Sequence, residues 1–184
     1  MKHLFQHSNT LKVLEWFLKN PNDQISLRAL SRTLKISASS ISGILNLLHS
    51  DGLVSKNPHS NLIFFKSISC ATFKALKITH NLHILEDCKI LNLIEQNSSV
   101  LYGVYLYGSC AKGEDTASSD IDILVIASDC WVDFSQLSSR VGREVNLKIF
   151  SMPKWVEASK NNRAFYLEVI SNCISLKGEK PVID

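Results

Sequence analysis

Two short apolar segments in the C-terminal half constrain the fold of this chain more than any other feature. Residues 100–107 are rich in β-branched and aromatic side chains, and residues 121–126 are apolar except for Asp122. Runs of this length and composition predict two buried strands of a sheet. The first run stops at Gly108-Ser109, where a glycine interrupts the strand pattern. We therefore expect a strand that leads into a corner of small residues.

The second predicted strand begins with two closely spaced acids, Asp120 and Asp122. Side chains two residues apart on a strand project from the same face, so the two carboxylates should face the same way. Such a pair is unfavourable unless a cation lies between the charges, and hard oxygen ligands suit Mg²⁺ or Mn²⁺. The pair therefore predicts a site for Mg²⁺ or Mn²⁺ that carries a triphosphate.

Three residues at the corner have the chemistry to hold a phosphate. Gly108 lets the backbone approach an anion closely, and Ser109 adds a hydroxyl and an amide. Lys112 adds a positive charge one turn further along the chain. We expect these groups to bind the triphosphate.

Gly108-Ser109, ten further residues and then Asp120-Ile121-Asp122 form a pattern that resembles the G-S-x10-D-x-D signature of the nucleotidyltransferase superfamily. The run YGSCAKGEDTASSDIDILV is similar to the minimal nucleotidyltransferase branch of bacteria and archaea. The resemblance covers about residues 98–150, and it implies that Lys112 and Ser119 belong to the nucleotide site. It also implies transfer of a nucleoside monophosphate from a nucleoside triphosphate, expected to be ATP.

The resemblance also implies a third carboxylate on a neighbouring strand, and this chain departs from that pattern. The matching strand is REVNLKIF, residues 143–150, and the matching position holds Asn146. An asparagine cannot act as a base, but its carbonyl oxygen can bind a cation. Glu144 lies two residues away and is the alternative acid. An Arg-Glu-Val-Asn version of this strand resembles the subgroup in which a winged helix precedes the nucleotidyltransferase domain.

The N-terminal third has the pattern of three helices followed by a β-hairpin. Apolar residues recur at helical spacing in residues 10–18, Ser26 and Ser37 can cap the second and third helices, and Gly52 can end the third. Turn-forming residues 57–61 then separate two β-prone runs. This order is typical of a winged helix-turn-helix over about residues 8–68.

In such a domain the third helix enters the major groove of DNA and the hairpin contacts the backbone. The candidate DNA-binding residues are polar or basic positions on these two elements: Ser39, Ser40, Ser42, Asn46, Lys56 and His59. Winged helices also serve as protein-protein modules, and that alternative stays open.

Charge and cysteine content agree with a two-part protein of the cytoplasm. Residues 1–66 hold 8 Lys and Arg against 3 Asp and Glu, a net +5, and the rest hold 12 against 14, a net −2. A basic segment of this kind often binds nucleic acid. The five cysteines include no C-x-x-C pair, which argues against a disulfide framework or a zinc ribbon. Polar residues interrupt the apolar runs of the N-terminus, so we expect neither a secretory leader nor a membrane span.

The sequence thus predicts an α+β protein: a winged helix-turn-helix domain at 1–68, a connecting helix or pair of helices at 69–97 and a small mixed-sheet nucleotidyltransferase fold with flanking helices at 98–184. The leading hypothesis is a metal-dependent nucleotidyltransferase fused to a DNA-binding module, with an unidentified acceptor. One alternative is a DNA-binding transcriptional regulator whose nucleotidyltransferase fold senses nucleotide without turnover. Another is a partner protein in a toxin-antitoxin pair. Expected partners are a nucleoside triphosphate, DNA, a protein and a second copy of the chain, with no membrane.

Overall fold

The computed structural model of the protein describes residues 8–183. The chain forms two compact units, the first ending at His80 and the second beginning at Asn81. None of the helices in residues 8–183 combines the length and the apolar character that crossing a membrane requires.

The first unit is a winged helix-turn-helix, as the sequence predicts. Its helices are α1 (Asn9–Lys19), α2 (Leu27–Leu34) and α3 (Ala38–Ser50), and its strands are β1 (Ile25–Ser26), β2 (Val54–His59) and β3 (Leu62–Ser67). The three strands form an antiparallel sheet in the order β1-β3-β2. The hydroxyls of Ser26 and Ser37 accept hydrogen bonds from the first turns of α2 and α3, so both predicted caps are confirmed.

The hairpin turn is tighter than the run of turn-forming residues suggests. Strand β2 continues through residues 57–59, and His59 pairs with Leu62. The turn therefore consists of Ser60 and Asn61, with Ser60 at a φ of 52°. Pairing with β3 extends the strand across residues whose local preference is for a turn.

The core of the first unit lies between its three helices and the hairpin. It contains most of the apolar positions at helical spacing, although Leu47 of α3 is 49% exposed. Its fully buried side chains include Val13, Phe17, Leu30, Ile41, Leu45 and, from β2, Val54. Gly52 follows α3 at a φ of 70°, the left-handed conformation expected of a helix terminator.

Two helices follow the hairpin. They are α4 (Ala71–Asp87) and α5 (Ile90–Gln96), and Lys89 at a φ of 53° separates them. Phe73 in α4 packs in the core of the first unit, whereas Leu85 packs in the core of the second. The domain limits at residues 68 and 97 stay predictions.

The second unit is a four-stranded mixed sheet with helices on both faces. Its strands are β4 (Leu101–Tyr107), β5 (Ile121–Ala127), β6 (Val145–Phe150) and β7 (Ile174–Lys177), in the order β6-β5-β4-β7. Only β5 and β6 are parallel. The remaining helices are α6 (Gly108–Lys112), α7 (Phe134–Val141), α8 (Met152–Asn161) and α9 (Arg163–Asn172).

The alternation of side chains along β5 decides what each face of the sheet carries. Ile121, Ile123 and Val125 point to the side covered by Leu82 and Leu85 of α4 and by α5 and α7. Leu124 and Ile126 point to the other side, where Trp155 of α8 and Val169 of α9 cover them. Aspartates at positions 120 and 122 belong to this second face, at the end of the strand that α8 and α9 leave more open.

Candidate functional site

Strand register brings Asn146 next to the two aspartates. On the parallel pair of β5 and β6, Asp122 is the register partner of Asn146, so the two side chains share a face. The Asn146 amide nitrogen donates to Oδ2 of Asp120 at 3.1 Å and to Oδ1 of Asp122 at 3.5 Å. The carboxylates that the sequence pairs are therefore close together, and an amide N–H group lies between them.

The Gly108 corner faces the same carboxylate. Gly108 has a φ of 70°, which a residue with a side chain rarely adopts. A Cβ atom placed on Gly108 would collide with the carboxylate of Asp122. Glycine at this position therefore serves two needs, since it permits the turn from β4 into α6 and leaves room for the acid.

The two aspartates form an electrostatically unfavourable pair. Burial, the charge of Asp120 and the charge of Glu168 raise the pKa of Asp122, while the amide of Asn146 and the ammonium of Lys148 lower it; the net direction is upward. Within residues 8–183, no group of three His, Cys, Asp or Glu side chains could hold a metal ion. The polar side chains that converge here are thus two carboxylates and one amide.

A half-buried arginine holds the loop that carries Asp120. Arg143 donates through Nε and Nη2 to the carbonyl oxygen of Ser119, at 2.9 and 2.5 Å, and through Nη1 to Oδ2 of Asp115 at 3.1 Å. The other oxygen of Asp115 accepts from the amide of Asn81 at 2.9 Å. Sequence analysis missed this role of Arg143, although the residue lies three positions before Asn146.

The hydroxyl of Ser119, a predicted nucleotide contact, lies within the same loop. It accepts from the backbone N–H of Thr116 at 2.9 Å and lies 3.1 Å from the Thr116 hydroxyl. Ser119 thus shapes the approach to Asp120, and its role toward a nucleotide stays a prediction.

The other predicted site residues lie around this edge of the sheet. Ser109 is half-buried in the first turn of α6, and Lys112 ends that helix with its Nζ 3.8 Å from Oε1 of Glu168. Glu144 is exposed immediately before β6, and its carbonyl oxygen accepts from the N–H of Ile121 at 2.9 Å. Sequence analysis did not single out Glu168.

An open cavity of about 760 Å³ adjoins Asp122 along β6, an edge strand of the sheet. It is lined by acidic, amide, hydroxyl, basic and apolar side chains: Asp122, Ser135, Ser138, Glu144, Val145, Asn146, Leu147 and Lys148. A groove of this composition can accept a polar substrate next to the carboxylates.

Lys148, which lines the groove beside Asp122, is a third residue that sequence analysis missed. It follows Asn146 by two positions on β6 and so belongs to the same face of the sheet. Its Nζ lies 4.3 Å from the centre of the Phe165 ring. The period-two alternation of REVNLKIF could have identified it, because the same rule relates Asp120 to Asp122.

The candidate DNA-binding residues lie on the surface of the first unit. Ser39, Ser40, Asn46, Lys56 and His59 are exposed, and Ser42 is half-buried.

Several of these side chains form hydrogen bonds within the first unit. The hydroxyls of Ser39 and Ser40 lie 3.2 and 2.8 Å from that of Ser37. Nζ of Lys56 donates to Oδ1 of Asn46 at 2.8 Å, which joins the hairpin to α3. Arg28, which sequence analysis did not select, lines a cavity with Asn46 and Lys56.

Sequence comparison identifies relatives of the second unit. The polymerase beta nucleotidyltransferase family matches residues 88–179. A candidate protein adenylyltransferase of Methanocaldococcus jannaschii is 34% identical over 71 residues, which are 37% of this chain and 57% of that protein. The protein adenylyltransferase MntA of Shewanella oneidensis is 35% identical over 69 residues, 34% of this chain and 50% of that protein. The chain thus spans about half the length of the curated relatives it matches.

Among solved structures, a toxin-antitoxin complex with AMP-PNP matches 50% of this chain and 73% of its own, with 24% identity and a TM-score of 0.39. The family match covers half of the 184 residues and includes the Gly108-Ser109 corner, both aspartates and Asn146. The chain therefore belongs to the polymerase beta nucleotidyltransferase family.

Proposed function

We propose that the second unit is a metal-dependent nucleotidyltransferase that transfers a nucleoside monophosphate from a nucleoside triphosphate to an acceptor. The observation that carries the proposal is the convergence of Asp120, Asp122 and Asn146 against the Gly108 corner. Two like charges close together are unfavourable by themselves, and a bound cation with its polyphosphate would remove the repulsion.

The residues present fit a divalent metal ion such as Mg²⁺ or Mn²⁺. Asp120 and Asp122 supply hard carboxylate oxygens, and the space beside Gly108 is one that a Cβ atom would fill. Asn146 could supply its carbonyl oxygen if its amide turned over, since the amide nitrogen now faces the acids. When bound, the ion would neutralise charge on the phosphates.

The chain's own residues would orient the nucleotide and the acceptor. The Gly108-Ser109 corner lets backbone N–H groups approach a phosphate. To bind the same phosphate, the ammonium group of Lys112 would have to leave the carboxylate of Glu168. The acceptor oxygen would attack the α-phosphorus, and pyrophosphate would leave. Asn146 cannot take the acceptor proton, so Glu144, the exposed acid of the adjoining groove, is our candidate base.

The identities that we propose for the nucleotide and for the acceptor rest on analogy with the relatives. The two curated relatives are named protein adenylyltransferases, which supports ATP as the nucleotide and a protein side chain as the acceptor. The open shape of the groove beside Asp122 agrees with an acceptor presented by another macromolecule.

We propose in addition that the first unit binds DNA. Its exposed α3 and hairpin present polar side chains, and Arg28 and Lys56 add positive charge around one cavity. Basic side chains displace counterions from DNA phosphates, so binding by this surface should weaken strongly as salt increases.

The second candidate function is a regulator that senses nucleotide without transferring it. The observation that favours it is Asn146, which occupies the position where the family pattern has a third carboxylate. Such a protein would bind the magnesium nucleotide at the same aspartates and would leave it intact.

The deciding experiment follows label from nucleoside triphosphates labelled on the α-phosphate, with Mg²⁺, the full chain and candidate acceptor proteins. Transfer of label that is lost in Asp120→Ala and Asp122→Ala is the expected result. Tight binding without transfer by the unaltered chain would favour the sensor. Absence of binding would contradict both functions.

A further inference from the structure

The basic residues around the two aspartates differ in whether an anion already engages them. Lys112 lies 3.8 Å from the carboxylate of Glu168, and Arg143 is held by Asp115 and the carbonyl of Ser119. Lys148 forms no ion pair with any of residues 8–183. Its positive charge is therefore available to an incoming anion.

The position of Lys148 directs that charge toward the carboxylate face of the sheet. It follows Asn146 by two residues on β6, and Asn146 is the register partner of Asp122. Residues two apart on a strand are about 6–7 Å apart, within reach of a lysine side chain. The charge of Lys148 also acts on Asp122, because it lowers the pKa of that carboxyl against the larger effects that raise it.

An aromatic ring holds the ammonium group without neutralising it. Nζ of Lys148 lies 4.3 Å from the centre of the Phe165 ring, and the face of a ring attracts a cation. Phe165 is itself fixed, since it packs on Phe150 at 6.0 Å and on Tyr107 at 5.7 Å between ring centres. The contact is weak where water has access, so a phosphate oxygen can replace it.

We propose that Lys148 binds a phosphate group of the nucleoside triphosphate, an inference that rests on the nucleotidyltransferase function proposed above. Lys148 lines the groove beside Asp122 and is exposed, so an anion can reach it directly. It takes the role that Lys112 cannot fill while its ammonium remains beside Glu168. The ligand class is a magnesium polyphosphate, bound through charge and not through its base.

The test measures the affinity of the full chain for Mg²⁺ with tripolyphosphate and for Mg²⁺ with the α,β-methylene analogue of ATP. Lys148→Met keeps the length and the apolar stem of the side chain and removes the charge. Loss of one charge-assisted contact should weaken both ligands about tenfold and lower the salt dependence of binding. Lys148→Arg should restore most of the affinity, because it returns the charge.

Lys154→Met is the matched control, since Lys154 is an exposed lysine in the first turn of α8, beyond the far end of β6. If Lys148→Met and Lys154→Met bind the magnesium polyphosphates equally well, and Asp122→Ala still loses binding, the role of Lys148 is overturned. The proposed nucleotidyltransferase function would stand in that case. Failure of the unaltered chain to bind either ligand would overturn the proposed function together with this inference. Unchanged thermal unfolding of Lys148→Met would confirm that a weaker affinity arises from the lost charge.

Discussion

The side-chain amide of Asn146 lies opposite the carboxylate of Asp122 on neighbouring parallel strands and donates a hydrogen bond to it at 3.5 Å. The same amide nitrogen donates to Asp120 at 3.1 Å. An N–H group thus holds together two acids that would otherwise repel each other. The arrangement predicts opposite effects of substitution on the free protein and on its metal complex.

Asn146→Asp should destabilise the free protein and strengthen metal binding. A third carboxylate removes the amide donor and adds repulsion, which should lower the free energy of unfolding of the second unit by about 1–3 kcal/mol. It should also increase the stabilisation produced by Mg²⁺ or Mn²⁺, because another anionic ligand faces the ion. Thermal unfolding with and without each ion measures both effects. Asn92→Asp, at an exposed position of α5, is the matched control and should change neither.

Asp122→Asn should stabilise the free protein at neutral pH. The pKa of Asp122 is raised in the folded state, so the folded protein binds this proton more tightly than the unfolded chain does. The free energy of unfolding therefore falls as pH rises from the pKa of this carboxyl in the unfolded chain to its higher pKa in the folded protein. The asparagine variant should lack this part of the pH dependence. Denaturant unfolding at several pH values between about 3 and 7 tests this. A variant less stable than the unaltered chain at pH 7 would contradict the repulsion argument.

Gly108→Ala should reduce magnesium-nucleotide binding by more than the strain of a positive φ alone explains. The positive φ costs an alanine about 1 kcal/mol, and the new Cβ would also displace the carboxylate of Asp122. Gly142→Ala is the matched control, because Gly142 has a φ of 73° and no atom within 4 Å of an added Cβ. We expect similar losses from strain in both variants, and loss of magnesium-nucleotide binding in Gly108→Ala alone. Equal binding in the two would contradict the placement of Asp122 against the corner.

Arg143→Ala should destabilise the second unit strongly. It leaves the buried carboxylate of Asp115 without its guanidinium and frees the carbonyl of Ser119, which precedes Asp120. Breaking a buried ion pair from one side costs about 3–5 kcal/mol. Arg140→Ala removes an exposed arginine from the last turn of α7 and should cost less than about 1 kcal/mol. Urea unfolding of the unaltered chain, Arg143→Ala and Arg140→Ala measures the three free energies of unfolding.

Arg28→Ala and Lys56→Ala should weaken duplex DNA binding and reduce its dependence on salt. Each removed phosphate contact should lower the slope of log affinity against log salt by about 0.9. Lys154→Ala, in the second unit, is the control for a general loss of positive charge. DNA binding that does not depend on salt, or a slope of log affinity against log salt that neither variant changes, would contradict this proposal. The winged helix would then be interpreted as a protein-binding module.

Local patterns in the sequence were sufficient for most of the architecture. The apolar spacing of residues 10–18 and the caps Ser26 and Ser37 identified three helices, because helix formation depends on neighbours a few residues apart. The hairpin turn at Ser60-Asn61 was placed less well, since pairing with β3 overrides local turn preferences. The break at Lys89 between α4 and α5 has no comparable local signal, as lysine is an ordinary helix residue.

For the site, the sequence by itself determined which chemistry is available: two acids on one strand face, a glycine corner and an asparagine where a third acid is expected. Period-two alternation within one strand makes the facing of Asp120 and Asp122 a local property. The tertiary structure alone decided that Asn146 reaches both acids, that Glu168 engages Lys112 and that Arg143 reaches Asp115. These contacts join residues 24 to 56 positions apart in the chain. Strand register and helix packing set their distances, and no local pattern carries that information.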